Sequence, residues 1–138
     1  MSGADIYLGN PNLKKANTQV EFTAEDIEEF IKCKEDPVYF AMNYVKIVTL
    51  DEGLQPFQPY HFQERLINNF HHNRFNICKM PRQTGKSTTV VAFLLHYAVF
   101  NASVNIGILA NKAATARELL GRLQIAYENL PKWMQQGI

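Results

Sequence analysis

Apolar positions in the first half of the chain recur at the spacing of helices. Residues 24–34 have apolar side chains on one helical face, and they follow Thr23 with Asp26 three positions later, which is typical of a capping box. We therefore predict a helix over residues 24–34. Asp36 and Pro37 are suited to capping and opening a second helix, which the pattern predicts next.

A strand, a turn and a third helix are predicted to follow. Residues 47–50 are mostly β-branched, as in a strand, and residues 51–53 have the composition of a turn. Pro59 is suited to the first turn of a helix that ends near His71 and His72. The predicted apolar stripe of this helix consists of Phe62, Leu66 and Phe70.

The second half of the chain changes to alternating strands and helices. The predicted elements are a strand at 75–80, a tight loop at 81–85, a helix at 86–101, a strand at 103–110 and a helix capped by Asn111. Parallel strands joined by a right-handed crossover helix are the expected arrangement. Residues 1–22 show no sustained periodicity, and we predict an arm or loop there.

The composition indicates one globular domain. The 138 residues are 46% hydrophobic and 20% charged, and a formal net charge of +1 gives no basic excess of the kind that marks a nucleic-acid-binding surface. The longest apolar run, residues 90–100, is interrupted by His96 and is shorter than the roughly 20 residues of a membrane span. The first residues do not form a secretory signal, so we expect a cytoplasmic protein without a membrane contact. Cys33 and Cys78 lack the spacing of a CxxC pair, and we predict that both are reduced core residues.

Residues 80–87, with the sequence Met-Pro-Arg-Gln-Thr-Gly-Lys-Ser, form a loop of the Walker A type between a predicted strand and a predicted helix. Backbone N–H groups at such a helix start can bind a nucleoside triphosphate, and Gly85 permits the close approach. Lys86 is suited to the β and γ phosphates, and the Ser87 hydroxyl to the magnesium ion that bridges them. The expected cofactors are therefore ATP and Mg²⁺. Met80 stands where the full pattern has a glycine.

The acidic residues that hydrolysis requires are not found after this loop. Magnesium-dependent hydrolysis needs a strand that ends in acidic residues, and no segment after Ser87 has that form. Glu118 and Glu128 fall in the last predicted helix instead. His71 and His72 share neither a helix face nor a zinc-ligand spacing, so we predict surface histidines rather than a metal site.

The departure at Met80 is informative, because the sequence from Pro81 to Ser87 resembles the variant Walker A loop of viral large terminase subunits, the motors of phage DNA packaging. That variant lacks the first glycine and has an arginine in the loop. The resemblance is greatest to contractile-tailed bacteriophages, and it extends over nearly the whole chain. It implies an α/β fold of the P-loop NTPase type, with an incomplete parallel sheet flanked by helices and preceded by a mainly helical N-terminal segment.

The resemblance also implies roles for individual residues. Arg82 matches a loop arginine that binds the γ-phosphate and acts on it in cis as a catalytic group, although a structural ion pair is the alternative. Gln58 and Gln63 match glutamines that recognise adenine, for which an amide offers both a donor and an acceptor. The remaining positions matched to nucleotide binding are Pro81, Gln83, Thr84, Gly85, Lys86, Ser87 and Thr88. The strand end at 108–112 is similar too, and a plain strand-to-helix cap explains it equally well.

By this resemblance residues 1–22 form an N-terminal arm, and residues 23–138 form the amino-terminal part of an ATPase domain whose Walker B carboxylates and nuclease domain are absent. We expect one piece of a split, interrupted or truncated gene, with the remaining part of the large terminase as its partner. The small terminase subunit, the portal and double-stranded DNA are further implied partners. The implied location is the cytoplasm of an infected bacterium, with transient docking on the procapsid.

Three other interpretations stay open on the sequence. A helicase-type ATPase fragment would share the glutamine segment and the loop. A nucleotide-dependent assembly module would bind ATP without hydrolysing it. An inert gene remnant would not fold by itself.

Overall fold

The computed structural model describes residues 6–7, 9–17, 19–49, 51–81 and 85–135. Within these ranges the chain is α/β and mainly helical, with five helices and two separate pairs of antiparallel strands. In chain order the elements are β1 (Ile6–Tyr7), β2 (Asn10–Lys14), α1 (Ala24–Glu35), α2 (Pro37–Tyr44), β3 (Lys46–Thr49), β4 (Gly53–Pro56), α3 (His61–His72), α4 (Lys86–Phe100) and α5 (Ala113–Glu128).

Local capping explains where the first two helices begin. The Thr23 hydroxyl accepts a hydrogen bond from the Asp26 N–H at 3.1 Å, and the Asp26 carboxylate accepts one from the Thr23 N–H at 3.1 Å, which confirms the predicted capping box. Asp36 Oδ1 accepts bonds from the N–H groups of Val38 and Tyr39 at the start of α2. The structure confirms both predicted helices. They were predictable because each start signal lies within a few residues of the helix end that it caps.

A tight hairpin connects α2 to α3. Strands β3 and β4 pair antiparallel, with Ile47 opposite Gln55, and Gly53 takes the positive φ of 70° that the turn requires. The Phe57 N–H then donates to the Val45 carbonyl at 2.9 Å, and the Phe57 ring is buried. The predicted strand and turn are confirmed in the described residues, and this hairpin stands beside the start of α3.

Helix α4 provides the largest share of the core. It contacts α2, α3 and α5, and its sequence is apolar on nearly every side, as expected of a buried helix. The buried cluster comprises Cys33, Phe40, Ala41, Val45, Phe57, Ile67, Ala92, Leu95, Val99, Phe100, Ala126, Leu130 and Met134. Packing on three sides fixes α4 and therefore fixes the position of its first turn.

The N-terminal segment differs from the predicted arm or loop, because β1 and β2 form an antiparallel hairpin within it. The hairpin is bound to the end of the described chain through Gln135, a buried residue whose Oε1 accepts from the Lys14 N–H at 2.8 Å and whose Nε2 donates to the Asn12 carbonyl at 2.8 Å. Leu13 of β2 is buried as well. The hairpin depends on residues more than a hundred positions away, which local periodicity does not reveal.

The predicted strands at 75–80 and 103–110 are not strands in the described structure, and the expected parallel sheet is not shown. Ile77 is 100% exposed and Leu109 is 99% exposed. A strand exists only where a neighbouring segment completes its ladder of hydrogen bonds, and within the described residues no other segment does so for these two. The predicted burial of Cys78 was wrong for the same reason, since its segment is exposed, whereas Cys33 is buried as predicted.

Two smaller predictions are corrected by the helices. In α3 the predicted stripe is only partly buried, with Phe62 38% exposed, whereas Gln63 and Ile67 are buried. Helix α5 begins at Ala113 after Lys112, so Asn111 is not its N-cap. Within the described ranges, no helix combines the length and the apolar character that a membrane crossing requires.

Candidate functional site

The first turn of α4 has the geometry of an anion-binding helix start. Gly85 precedes the helix with φ 76° and ψ 18°, a left-handed conformation that glycine adopts without strain. Because Gly85 has no side chain, it provides no side-chain cap to this end of the helix. The first N–H groups of a helix have no intrahelical acceptor, and the helix dipole adds partial positive charge there. The start of α4 is therefore suited to phosphate oxygens.

The carbonyl oxygen of Gly85 accepts from three donors. They are the Gln63 Nε2 at 3.1 Å, the Thr89 hydroxyl at 2.8 Å and the Thr89 N–H at 3.0 Å. A Cβ atom placed on Gly85 would lie 2.5 Å from the Gln63 Nε2. Glycine is therefore favoured here by its backbone conformation, and a larger residue would displace the Gln63 amide.

Lys86 is exposed at the first position of α4, and its Nζ donates to the Met80 carbonyl at 3.4 Å. The ammonium group therefore lies near the beginning of the loop, where it could contact a phosphate bound at the helix start. Ser87 and Thr88 follow in the same turn and are partly buried. Pro81 is exposed, and the predicted contacts of Arg82, Gln83 and Thr84 lie outside the described residues.

A cavity of about 580 Å³ opens between the β3–β4 hairpin, the start of α3 and Gly85. Its size is within the range of small-molecule and cofactor sites. The cavity brings together four of the residues predicted from the sequence to bind nucleotide, namely Gln58, Gln63, Gly85 and Thr88. Three other described members of that set do not line the cavity, namely Pro81, Lys86 and Ser87. They lie in or next to the loop that ends at Gly85.

The two predicted glutamines differ in their surroundings. Gln63 is buried, and its amide is used within the protein, because Oε1 accepts from the Tyr60 N–H at 2.8 Å while Nε2 donates to Gly85. Gln58 is exposed, and its amide makes no hydrogen bond to the described part of the chain. Gln58 therefore has its full donor and acceptor capacity available for a ligand.

The cavity also includes residues that the sequence analysis missed. Tyr60 is 70% exposed at the cavity and stacks on Phe62, with ring centroids 6.0 Å apart. An aromatic face of this kind can stack on a flat heterocycle. Glu52 and Gln55 of the hairpin line the other side. The sequence prediction placed Tyr60 next to Pro59 in the first turn of the helix, whereas α3 begins at His61 and Tyr60 is its N-cap residue.

The remaining candidate groups lie elsewhere. Glu118 pairs with Arg122 on the surface of α5, and Glu128 accepts from Asn10 at 3.2 Å, so neither acid belongs to the cavity. His71 and His72 are exposed, as predicted for surface histidines.

The donor set fits a triphosphate with magnesium. It offers an uncapped helix start, a lysine, the hydroxyls of Ser87 and Thr88 and the Glu52 carboxylate. Among the described residues, no three or more His, Cys, Asp and Glu side chains form a cluster that could hold a metal ion. A metal here would therefore depend on phosphate oxygens for much of its coordination. No model of a known protein family matches this sequence.

Proposed function

We propose that this chain is the ATP-binding part of a viral DNA-packaging motor, the large terminase subunit, which couples ATP hydrolysis to the translocation of duplex DNA into a procapsid. The observation that carries the nucleotide-binding part of this proposal is the left-handed Gly85 at the start of an uncapped buried helix, on the wall of a cavity that also contains Gln58. The terminase assignment rests on the sequence of the loop, in which Met80 replaces a glycine and Arg82 is present.

In the proposed complex the adenine contacts Gln58 and stacks on Tyr60, and the triphosphate binds the first turn of α4. Lys86 neutralises phosphate charge, and the Ser87 hydroxyl holds the magnesium ion, which neutralises the charge further when it is bound. Arg82 acts on the γ-phosphate in cis. Gln63 supports the site by fixing Gly85.

The exposed apolar segments support the proposed partner. Ile77 and Leu109 lie in sequences with strand character, yet within the described residues they have no pairing segment. We assign segments 75–80 and 103–110 to a parallel sheet of the P-loop type that forms with strands from the remaining part of the large terminase. The small terminase subunit, the portal and double-stranded DNA are the further partners, and the host cytoplasm with docking on the procapsid is the proposed location.

The binding of a fluorescent ATP analogue in the presence of Mg²⁺ tests the nucleotide site. Lys86→Ala should weaken binding about tenfold or more, because a charge-assisted contact to phosphate contributes roughly 1.5–3 kcal/mol. Lys79→Ala, which removes an exposed lysine just before the loop, is the matched control and should bind as the parent chain does. Equal affinities for Lys86→Ala and the parent would contradict the proposed site.

A hydrolysis assay separates the motor from the alternatives. We expect the purified chain to bind ATP without turnover. Among the described residues that line the cavity the one acid is Glu52, and it lies on an exposed turn rather than at the end of a strand. Robust Mg²⁺-dependent hydrolysis abolished by Lys86→Ala would overturn the inference that the catalytic carboxylate is missing. Binding without turnover even beside the remaining terminase polypeptide would favour a non-hydrolysing assembly module. Packaging of linear duplex DNA with a procapsid distinguishes a terminase from a helicase-type ATPase.

A further inference from the structure

A second, smaller cavity of about 260 Å³ lies where β3 meets α4 and α5, and we call it the β3–α5 pocket. Its apolar lining consists of Ile47 and Val48 from β3, Val91 from α4 and Ile125 from α5. Thr88 also lines it, and the pocket shares Ile47 and Thr88 with the cavity beside Gly85. Val91 is buried at the base, whereas Val48 is 62% exposed and Ile125 is 39% exposed. The pocket therefore combines a buried apolar residue with an apolar rim that is open to solvent.

Two cationic side chains also line this pocket. Lys46 is exposed, and its ammonium group makes no hydrogen bond or ion pair to the described part of the chain. Arg122 contacts Glu118 at 2.8 Å, but this pair is half-exposed on both sides, so it is weak and can exchange partners. The lining residues include no carboxylate. The charge of the lining is therefore positive beside an apolar base.

We propose that the β3–α5 pocket binds a segment of a partner protein in which one apolar side chain is flanked by carboxylates. The volume is below the range of about 300–1,000 Å³ that drug-sized ligands occupy, and it suits a single aliphatic or aromatic side chain. Carboxylates next to that anchor would meet Lys46 and Arg122, and a basic segment would be repelled by them. The choice of an acidic partner follows from this charge complementarity.

Titration of the full, ¹⁵N-labelled chain with a capped Glu-Phe-Glu peptide tests the proposal by NMR. Amide signals of Val48, Arg122 and Ile125 should shift and saturate at millimolar peptide, and a capped Lys-Phe-Lys peptide should leave them in place. The double variant Lys46→Gln/Arg122→Gln should raise the peptide Kd roughly threefold or more. Lys15→Gln/Arg117→Gln, which removes the same number of exposed cations elsewhere, is the matched control and should keep the parent Kd.

Several outcomes would overturn the proposal. They are equal responses to the acidic and basic peptides, shifts confined to another part of the chain, no shift at millimolar acidic peptide, and an unchanged Kd for the Lys46→Gln/Arg122→Gln variant. Binding of phenylbutyrate at the pocket in the absence of peptide binding would instead identify a site for small carboxylates. The spectrum of each variant reports whether its fold is intact, so loss of binding is not confused with loss of structure.

Discussion

The side-chain amide of Gln63 donates a hydrogen bond to the backbone carbonyl of Gly85 across 3.1 Å and so joins the first turn of α3 to the start of α4. The same amide accepts from the Tyr60 N–H. One buried glutamine thus satisfies backbone groups from two elements that are far apart in the sequence. This arrangement positions the end of the proposed phosphate loop against the wall of the cavity.

Gly85→Ala should destabilise the fold by about 1–3 kcal/mol, because alanine is strained at a φ of 76° and its methyl group would collide with the Gln63 amide. Urea unfolding followed by circular dichroism measures the change. Gly121→Ala is the control, since Gly121 lies within α5 with open space around it. That variant should be more stable by about 0.5–1 kcal/mol, so equal effects of the two substitutions would contradict the prediction.

Gln58→Ala and Gln63→Ala should have different effects. Gln58 is exposed, so its removal should change the free energy of unfolding by less than about 0.5 kcal/mol while reducing the preference for ATP over GTP. Gln63→Ala should cost about 1–3 kcal/mol, because it leaves the Tyr60 N–H without its acceptor. Competition binding and urea unfolding measure the two quantities. A loss of ATP preference in Gln63→Ala at unchanged stability would reverse the assignment.

His96 should make the fold sensitive to mild acid. The ring is buried, with Nε2 2.8 Å from the Cys33 carbonyl oxygen, and burial lowers the pKa of His96 below its ordinary value. Nearby His71 lowers this pKa further, while the bond to Cys33 and the charge of Asp36 oppose the shift. The unfolded chain therefore binds more protons than the folded chain in the interval between the two pKa values. The contribution of His96 to the free energy of unfolding is therefore fully present above about pH 6.5, and it is lost as the pH falls through that interval.

The urea midpoint measured from about pH 7.5 to about pH 5.5 checks this prediction. His96→Gln keeps an amide donor for the Cys33 carbonyl and removes the titration, so the midpoint should become less dependent on pH in this range. His72→Gln changes an exposed histidine and should retain the dependence of the parent. An unchanged pH dependence in His96→Gln would assign the effect to other groups.

The two cysteines should differ in reactivity. Cys33 has no exposed surface, and burial raises its pKa to about 12, with Glu29 and Asp36 adding to the shift. Cys78 is exposed. A thiol reagent should label one cysteine in the native chain and both in denaturant, because the thiolate is the reactive form. Cys78→Ser should abolish native labelling, and rapid labelling of that variant would show that Cys33 is accessible.

Gln135→Ala should destabilise the N-terminal hairpin by about 1–3 kcal/mol, because the Lys14 N–H and the Asn12 carbonyl lose their buried partner. Asn129→Ala, which removes a partly buried residue whose amide donates to the nearby Ile125 carbonyl, is the control and should cost less. Hydrogen exchange of the β2 amides together with urea unfolding measures both effects. Equal costs for the two variants would mean that the hairpin contributes little to the stability of the fold.

The helices were predictable because their start signals are local. Thr23 and Asp36 cap the helices that they precede, and the apolar sequence of α4 is itself evidence of burial. The hairpin at β1 and β2 could not be found in this way, since Gln135 holds it from the other end of the described chain. The exposed segments around Ile77 and Leu109 show the converse, because strand character without a neighbouring strand gives no sheet.

The site was predictable in its residue types more than in its contacts. Gly85 at the helix start follows directly from the loop sequence. The different roles of Gln58 and Gln63 do not follow from the loop sequence, because they depend on which of the two amides is buried in the fold. Tyr60 was missed because its exposure results from the packing of α3 rather than from its neighbours in the sequence.

The three bonds to the Gly85 carbonyl have a mechanical consequence. Thr89 anchors that oxygen one turn into α4, and Gln63 anchors it to the first turn of α3. A displacement of Gly85 must therefore either break these bonds or carry the N-terminal end of α3 with it. The end of the proposed phosphate loop and Tyr60 would then move together, and a shift of Gly85 would change the width of the cavity opening.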